Sequence, residues 1–304
     1  MDPDIIVDRR RLQRQLFAWR LISAFFIIAL LGVFLGRDSL VGGGSYVGLL
    51  TIEGMIVDDR EREREIYRLM EDVNLEALII YIDSPGGSTA ASEALYRAVR
   101  VLAGKKPVVA VMGGVAASGG YMVALAADRI LARETSLTGS IGVVLQVTNF
   151  AELMRMAGIE HETIRSVPLK AQPNPFETMS PEALEAGRVL VQDVHKMFVA
   201  LVAERRNLDS NELERLTDGR VFTGARALEN GLIDAIGGVS DARVWLDQVH
   251  GVSVRGIEQE VGEHATNEIF DWINHLLGEP RGLARRLALD GLVSVWHPSV
   301  SSAP

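Results

Sequence analysis

Short apolar runs alternate with longer amphipathic stretches through most of this 304-residue chain. Runs at 46–52, 77–82, 108–112, 129–132 and 143–147 predict strands, and stretches with helical spacing at 60–73, 88–102, 121–127 and 152–157 predict helices. Strands alternating with helices in this way imply an α/β domain, a largely parallel sheet with covering helices. A longer helix is expected from Pro181 to about Arg206, with Pro181 near its first position and Ser180 as its cap. Leu184, Val191, Val194, Phe198, Leu201 and Val202 form one apolar stripe along it, whose ordinary meaning is packing within the chain.

The two ends read differently. Arg9, Arg10, Arg11, Arg14 and Arg20 precede an apolar run over 21–36. Its 16 uncharged residues would span about 24 Å as a helix, against ~30 Å of bilayer hydrocarbon. Starting at Leu16 makes the segment long enough, with Trp19 at the interface and Arg20 reaching towards the headgroups. The run ends in Gly36-Arg37-Asp38 without a small-x-small cleavage site, which favours an uncleaved signal anchor over a cleaved signal peptide. Arginines on the N-terminal side predict a cytoplasmic N-terminus, with the rest of the chain across the membrane. The expected organisation is a basic segment (1–15), a transmembrane anchor (16–36), a linker containing Gly42-Gly43-Gly44-Ser45 (37–45), a globular domain (46–250) and a helical extension (251–304). In the extension Thr266 would cap a helix through Ile269, Phe270, Trp272, Ile273, Leu276 and Leu277, ended by Gly278 and Pro280, and a second apolar patch covers 283–296. It would dock on the domain, join an oligomer interface or lie on the membrane surface.

Composition narrows the chemistry. The residues behind the anchor suffice for one well-buried core. A net charge of −9 argues against a general nucleic-acid binder. The absence of cysteine excludes disulfides, thiolate catalysis and Cys-ligated metals. Neither H-E-x-x-H nor G-K-[ST] occurs, so a zinc protease or a P-loop ATPase is not expected, and no cofactor is implied. An enzyme without its own ATPase would take short or already unfolded substrates.

The richest candidate for chemistry is Gly113-Gly114-Val115-Ala116-Ala117-Ser118-Gly119-Gly120-Tyr121, between the strand-like run at 108–112 and the helix at 121–127. Ser118 would sit on a glycine-flanked strand-to-helix turn. Backbone N–H groups at such a helix start face a developing oxyanion, and glycines let the chain turn sharply. The strict G-x-S-x-G elbow is absent, and a tight turn needing only small residues has the same appearance. None of His161, His195, His250, His264, His275 and His297 lies in a recognisable triad motif. Lysines are only four among 31 basic residues: Lys105, Lys106, Lys170 and Lys196. A buried lysine, unlike arginine, can lose its proton near neutral pH and act as a base. Lys105 and Lys106 fall in a polar turn and Lys196 on an amphipathic helix. Lys170 lies in a non-helical stretch ending at Pro173-Asn174-Pro175-Phe176, with no acidic residue within six positions. It reads as a catalytic base or as a surface-loop lysine. Ser118 and Gly86 both follow strand C-termini, where open α/β sheets bind ligands.

Four segments occur in order: Asp83-Ser84-Pro85-Gly86-Gly87, Gly113 to Tyr121, Thr138-Gly139-Ser140-Ile141-Gly142-Val143, and Asp218-Gly219-Arg220-Val221-Phe222-Thr223-Gly224. Together they resemble the signal peptide peptidase A family, membrane-anchored serine–lysine peptidases with a ClpP/crotonase-like fold. The resemblance covers roughly residues 46 to 250, and each segment occurs once, as in the half-length bacterial members. It implies Ser118 as nucleophile, Lys170 as general base, Ser140 as the residue orienting that lysine, and oxyanion amides from Gly86 or Gly87 and from Gly119. Met122, where a second aromatic is common, and Val167-Pro168-Leu169, in place of a glycine–tyrosine approach, depart from the pattern. The resemblance further implies a homo-oligomer whose neighbouring protomers complete each other's active sites. Its substrates would be hydrophobic peptides such as released signal peptides, met on the extracytoplasmic side of the bacterial plasma membrane. The alternatives are a sibling protease cutting particular membrane proteins, a crotonase-type acyl-CoA enzyme and a non-catalytic membrane scaffold. Dependence on Lys170 separates a peptidase from the last two.

Overall fold

The computed structural model describes residues 45–252, 258–261 and 293–295, together with Trp19, Arg20, Ile22 and Ser23. The chain divides into two compact units, residues 1–45 and 46–304. The expected span at 16–36, four positions excepted, and the expected helix after Thr266 lie outside the described residues. Among the described residues no helix is long and apolar enough to cross a membrane.

The second unit contains strands β1 (Tyr46–Glu53), β2 (Leu75–Ser84), β3 (Gly86–Ser88), β4 (Val108–Ala117), β5 (Arg129–Ala132), β6 (Leu137–Gly139), β7 (Val221–Thr223), β8 (Ala235–Ile236), β9 (Glu258–Val261) and β10 (Val293–Val295). Its helices are α1 (Arg60–Glu71), α2 (Thr89–Ala103), α3 (Gly119–Ala124), α4 (Ala151–Met156), α5 (Pro181–Arg205), α6 (Ser210–Leu216), α7 (Gly224–Glu229) and α8 (Val239–His250). The main sheet runs β7-β6-β4-β2-β1-β9, with β5 beside β4 and β8 beside β5. All its pairings are parallel except β6 with β7. Parallel neighbours need crossovers, and the predicted alternation of strands and helices supplies them.

Residue alternation in the two central strands divides the core. Leu78, Ile80 and Ile82 of β2, with Val108, Ala110 and Met112 of β4, face Ile66, Leu95, Val99, Leu102, Phe198 and Val202. Ala77 and Ile79, with Val109 and Val111, face Ala242 and Leu246 of α8. Burying each large side chain among these is worth about 1.5–3 kcal/mol. Both faces are covered, so these strands read as continuous apolar runs.

β4 is broken where chemistry was expected. Ile82 lies opposite Met112 but Ser84 lies opposite Ala116, so two steps along β2 match four along β4. The excess forms a bulge at Gly113-Gly114-Val115. Asp83 braces it, its Oδ1 accepting the Val115 N–H at 3.0 Å. A Cβ at Gly113 would stand 2.7 Å from the Tyr81 hydroxyl, so the bulge depends on a residue without one. Before the bulge β4 pairs with β5, and after it with β6.

Two expectations are corrected. No strand forms at 143–147. The strand after α3 and β5 is β6, because Leu137-Thr138-Gly139 fits between the end of β4 and the antiparallel β7. Val143, Val144, Leu145 and Val147 instead line an open groove of about 560 Å³ against Ala183, Leu184 and Val191 of α5. The second correction concerns the α5 stripe. Ser180 caps this helix as predicted, its Oγ accepting the Ala183 N–H at 3.1 Å. Within the stripe Phe198 and Val202 are buried, Val191, Val194 and Leu201 half-buried and Leu184 45% exposed, and Val189 and Leu190 beside it are 47% and 48% exposed. The stripe therefore packs within the chain at the C-terminal turns, while the first turns present apolar side chains to solvent. In the extension, the described residues form two strands: β9 beside β1 and β10 beside β3.

Candidate active site

Ser118 joins β4 to α3 with φ +55° and ψ −117°. Such a conformation costs a non-glycine residue about 1–3 kcal/mol and persists only where its surroundings enforce it. Here the Ser118 N–H donates to Gly139 O at 2.8 Å, and the Ser118 carbonyl accepts the Met122 N–H at 2.9 Å. The backbone is thus held on both sides of the hydroxyl, and the residue is buried. Tyr121, the buried third residue of the helix, donates its hydroxyl proton to Leu232 O at 2.8 Å and anchors α3 to the far loop. Burial pushes the Tyr121 phenol well above its ordinary pKa, so it remains a donor.

The Ser84-Pro85-Gly86-Gly87 turn packs directly on this helix start. Gly86 has φ +102°, and its N–H donates to Ser84 Oγ at 3.1 Å. On one edge Ile56 N–H donates to Gly86 O at 2.9 Å and Ser88 N–H to Ile56 O at 2.8 Å. Strand alternation directs Gly87 N–H to the opposite edge. There β10 runs antiparallel, Val293 opposite Ser88, Ser294 opposite Gly87 and Val295 opposite Gly86. A Cβ on Gly119 would come within 2.3 Å of Ser92 Oγ and 3.3 Å of the Gly86 Cα. Ser92 Oγ cannot retreat freely, since it donates to Ser88 O at 2.9 Å. Gly119→Ala should therefore cost about 1–3 kcal/mol by overpacking. Thermal denaturation of the variant reads this out, and an unchanged melt would mean that the two turns have room to part.

The third and fourth motifs meet the nucleophile from the other side. Gly139, which holds Ser118, lies in β6 opposite Val221, and Ser140 N–H donates to Arg220 O at 2.8 Å. Thr138 Oγ1 donates to Ala116 O at 2.7 Å and Ser136 Oγ to Gly113 O at 2.6 Å, stitching β6 to the end of β4. Ser140 follows with φ +51°. Ser118, Gly119, Gly86, Gly87 and Ser140 are thereby gathered at the C-terminal ends of β2, β4 and β6.

Lys170 is carried by a separate segment, the loop between α4 and α5. It lies in an exposed turn, its N–H donating to Val167 O at 3.1 Å, and its ammonium has no hydrogen-bond or ion-pair partner among the described residues. Ala171 beside it has φ +59°. Among the described residues, the non-glycine positions with positive φ are Ser118, Ser140 and Ala171. Below the turn, Arg165 Nη2 donates to both oxygens of Glu177 at 2.5 and 2.7 Å, and Gln172 Nε2 donates to Glu177 Oε2 at 2.7 Å. The bonds from Arg165 foremost hold the Glu177 carboxyl down to about 2. A depressed carboxyl favours the folded form above its ordinary titration range, and the effect is lost as pH falls through about 2. Glu177 is therefore ionised throughout the neutral range.

Sequence reasoning missed three supporting residues. Ser84 was legible only as part of a turn, yet its Oγ holds the Gly86 amide. Ser92 lay inside a helical stretch with no local mark. Glu177 is seven positions beyond Lys170, just outside the acid-free stretch around it. Among the described residues no group of His, Asp and Glu could hold a metal ion.

The sequence profile of peptidase family S49 matches residues 100–253. A Synechocystis sp. protein provisionally named a protease is 34% identical over 220 residues, covering 72% of this chain and 74% of that one. A protein of Enterococcus faecium provisionally named signal peptide peptidase SppA is 30% identical over 264 residues, 82% of this chain and 76% of the other. The chloroplastic serine protease SPPA of Arabidopsis thaliana is 38% identical over 222 residues, 70% of this chain but 32% of the plant protein.

Proposed function

The chain belongs to peptidase family S49 and is a serine endopeptidase, and from that premise we propose that Ser118 is its nucleophile and Lys170 its general base. One observation carries the assignment: the positive-φ residues Ser118, Ser140 and Ala171 fall at, or directly beside, the three side chains that a serine–lysine mechanism needs. Strain of this kind collects where geometry serves chemistry.

In the proposed cycle Ser118 Oγ attacks the scissile carbonyl while the neutral Lys170 amine takes the hydroxyl proton. The amine then protonates the leaving nitrogen, and the new peptide N-terminus departs. Water attacks the acyl-enzyme by the same route, its proton passing to Lys170 and back to Ser118. The tetrahedral oxyanion receives amides from Gly119 and from the Gly86-Gly87 turn. Losing one such donor typically costs about 3–4 kcal/mol. Ser140 orients the lysine.

Ser118 is buried, whereas Lys170 is exposed and its ammonium has no hydrogen-bond or ion-pair partner among the described residues. That contrast supports a homo-oligomer in which one protomer's Lys170 serves its neighbour's Ser118. The exposed apolar turns of α5 and the groove against Val143 to Val147 are the kind of surface such a neighbour covers. Substrates are extended hydrophobic peptides, released signal peptides among them, and the anchor at 16–36 holds the domain at the membrane. Binding as an added strand is supported by β10, which already lies along Gly86 to Ser88.

The test of the function is hydrolysis of a fluorogenic apolar peptide by the detergent-solubilised full chain. Deleting 291–304 should raise kcat/KM for that peptide by about 3–10-fold, because β10 no longer competes for the edge. No increase would mean that substrate does not use this edge.

A further inference from the structure

Arg165, Gln172 and Glu177 take no part in the chemistry assigned above, yet they meet at the base of the turn that carries Lys170. We propose that Glu177 is a positioning residue for Lys170, closing the loop 166–171 at its base by accepting hydrogen bonds from Arg165 and Gln172, a role that rests on the Ser118–Lys170 reading.

Residues 166–171 are all exposed, so burial does not shape the loop. Within it the backbone bonds are Lys170 N–H to Val167 O at 3.1 Å and Gln172 N–H to Leu169 O at 3.2 Å, a turn without sheet or helix to stiffen it. The carboxylate supplies what is missing. It ties Arg165, five residues before the lysine, to Gln172, two residues after it, and all three side chains belong to half-buried residues. The same residue secures the loop to the rest of the fold. The Glu177 backbone carbonyl accepts Asn149 Nδ2 at 2.8 Å, and Phe150 N–H, just before α4, donates to Pro175 O at 2.7 Å.

Charge gives the clasp a second effect. Glu177 is the first acidic residue after Lys170 in the chain, and an acid free to pair with the ammonium would draw that side chain down onto the loop. Arg165 and Gln172 occupy both carboxylate oxygens and withhold them from the lysine. The arrangement is kept although Arg165 Nε and Gln172 Oε1 are buried without partners, a cost that a mere connecting loop would shed by facing solvent.

The experiment compares the full-length parent with Glu177→Gln, Glu177→Asp and Lys170→Ala, measuring kcat and KM on an apolar fluorogenic peptide, melting temperature and oligomer size. Glu177→Gln, assayed well below its melting temperature, which the lost ion pair with Arg165 should lower somewhat, should reduce kcat by about 10–100-fold with KM within about twofold and assembly unchanged, since a misplaced base costs rate and leaves binding intact. Glu177→Asp, which keeps the charge, should recover part of that loss. Parental kcat in Glu177→Gln beside an inactive Lys170→Ala would overturn the positioning role and leave the dyad standing. Loss of kcat no larger than the fraction of protein unfolded or disassembled at the assay temperature would also overturn it. An active Lys170→Ala would remove the dyad reading and this role with it.

Discussion

Ser118→Ala in the full-length chain is expected to lower kcat/KM for an apolar peptide by about ten-thousand-fold or more, the scale seen when the nucleophile of a serine hydrolase is removed. The substitution deletes one atom and keeps the Cβ that the positive-φ turn already tolerates. The backbone bonds to Gly139 and from Met122 do not involve the hydroxyl. Melting temperature should therefore stay close to the parent's, which separates lost chemistry from lost fold. Lys170→Ala should match it in rate. That residue is exposed and its ammonium has no hydrogen-bond or ion-pair partner among the described residues, so its effect on stability should be within about 0.5 kcal/mol. A variant of either kind retaining a tenth of parental activity would assign its role to another residue. The acyl-CoA and scaffold readings predict no such paired loss.

Mixing the two inactive variants should restore activity. If each site takes Ser118 from one protomer and Lys170 from the next, a Ser118→Ala subunit still lends its lysine and a Lys170→Ala subunit still offers its serine. Random assortment in a symmetric ring then rebuilds about a quarter of the sites. Co-expression, or dissociation and reassembly of an equal mixture, followed by the peptide assay, measures it. Activity that stays at the level of the separate variants, with mixed oligomers demonstrated by differential tags, would place the whole dyad within one chain. Recovery is expected because Lys170 is exposed, with no polar partner among the described residues, where Ser118 is buried, and because the N-terminal half of α5 leaves Leu184, Val189 and Leu190 uncovered beside an apolar groove.

The chain's own pattern determined a good deal. Apolar runs over β2 and β4 required strands buried on both faces, and their spacing by amphipathic helices required parallel pairing. Ser180-Pro181 marked where α5 begins, since a hydroxyl and a proline suit a helix start whatever surrounds it. The glycines around Ser118 announced a backbone that turns tightly, and the turn is there. These are local properties, set by the residue and its near neighbours.

Tertiary structure decided the rest, because pairing across tens of residues leaves no periodic trace. Val143 to Val147 has the composition of a strand, but the place beside β4 goes to Leu137–Gly139, which can also pair with β7. The α5 stripe is continuous in sequence, yet of its members only Phe198, Leu201 and Val202 join the core. Gly87 accepts no Cβ because Ile56, thirty-one residues earlier, passes against it. Glu177 matters through a fold of the chain that brings Arg165 back to it. Residue type and spacing pointed to the candidate groups. Which of them one chain gathers at the ends of its strands follows from where the backbone packs.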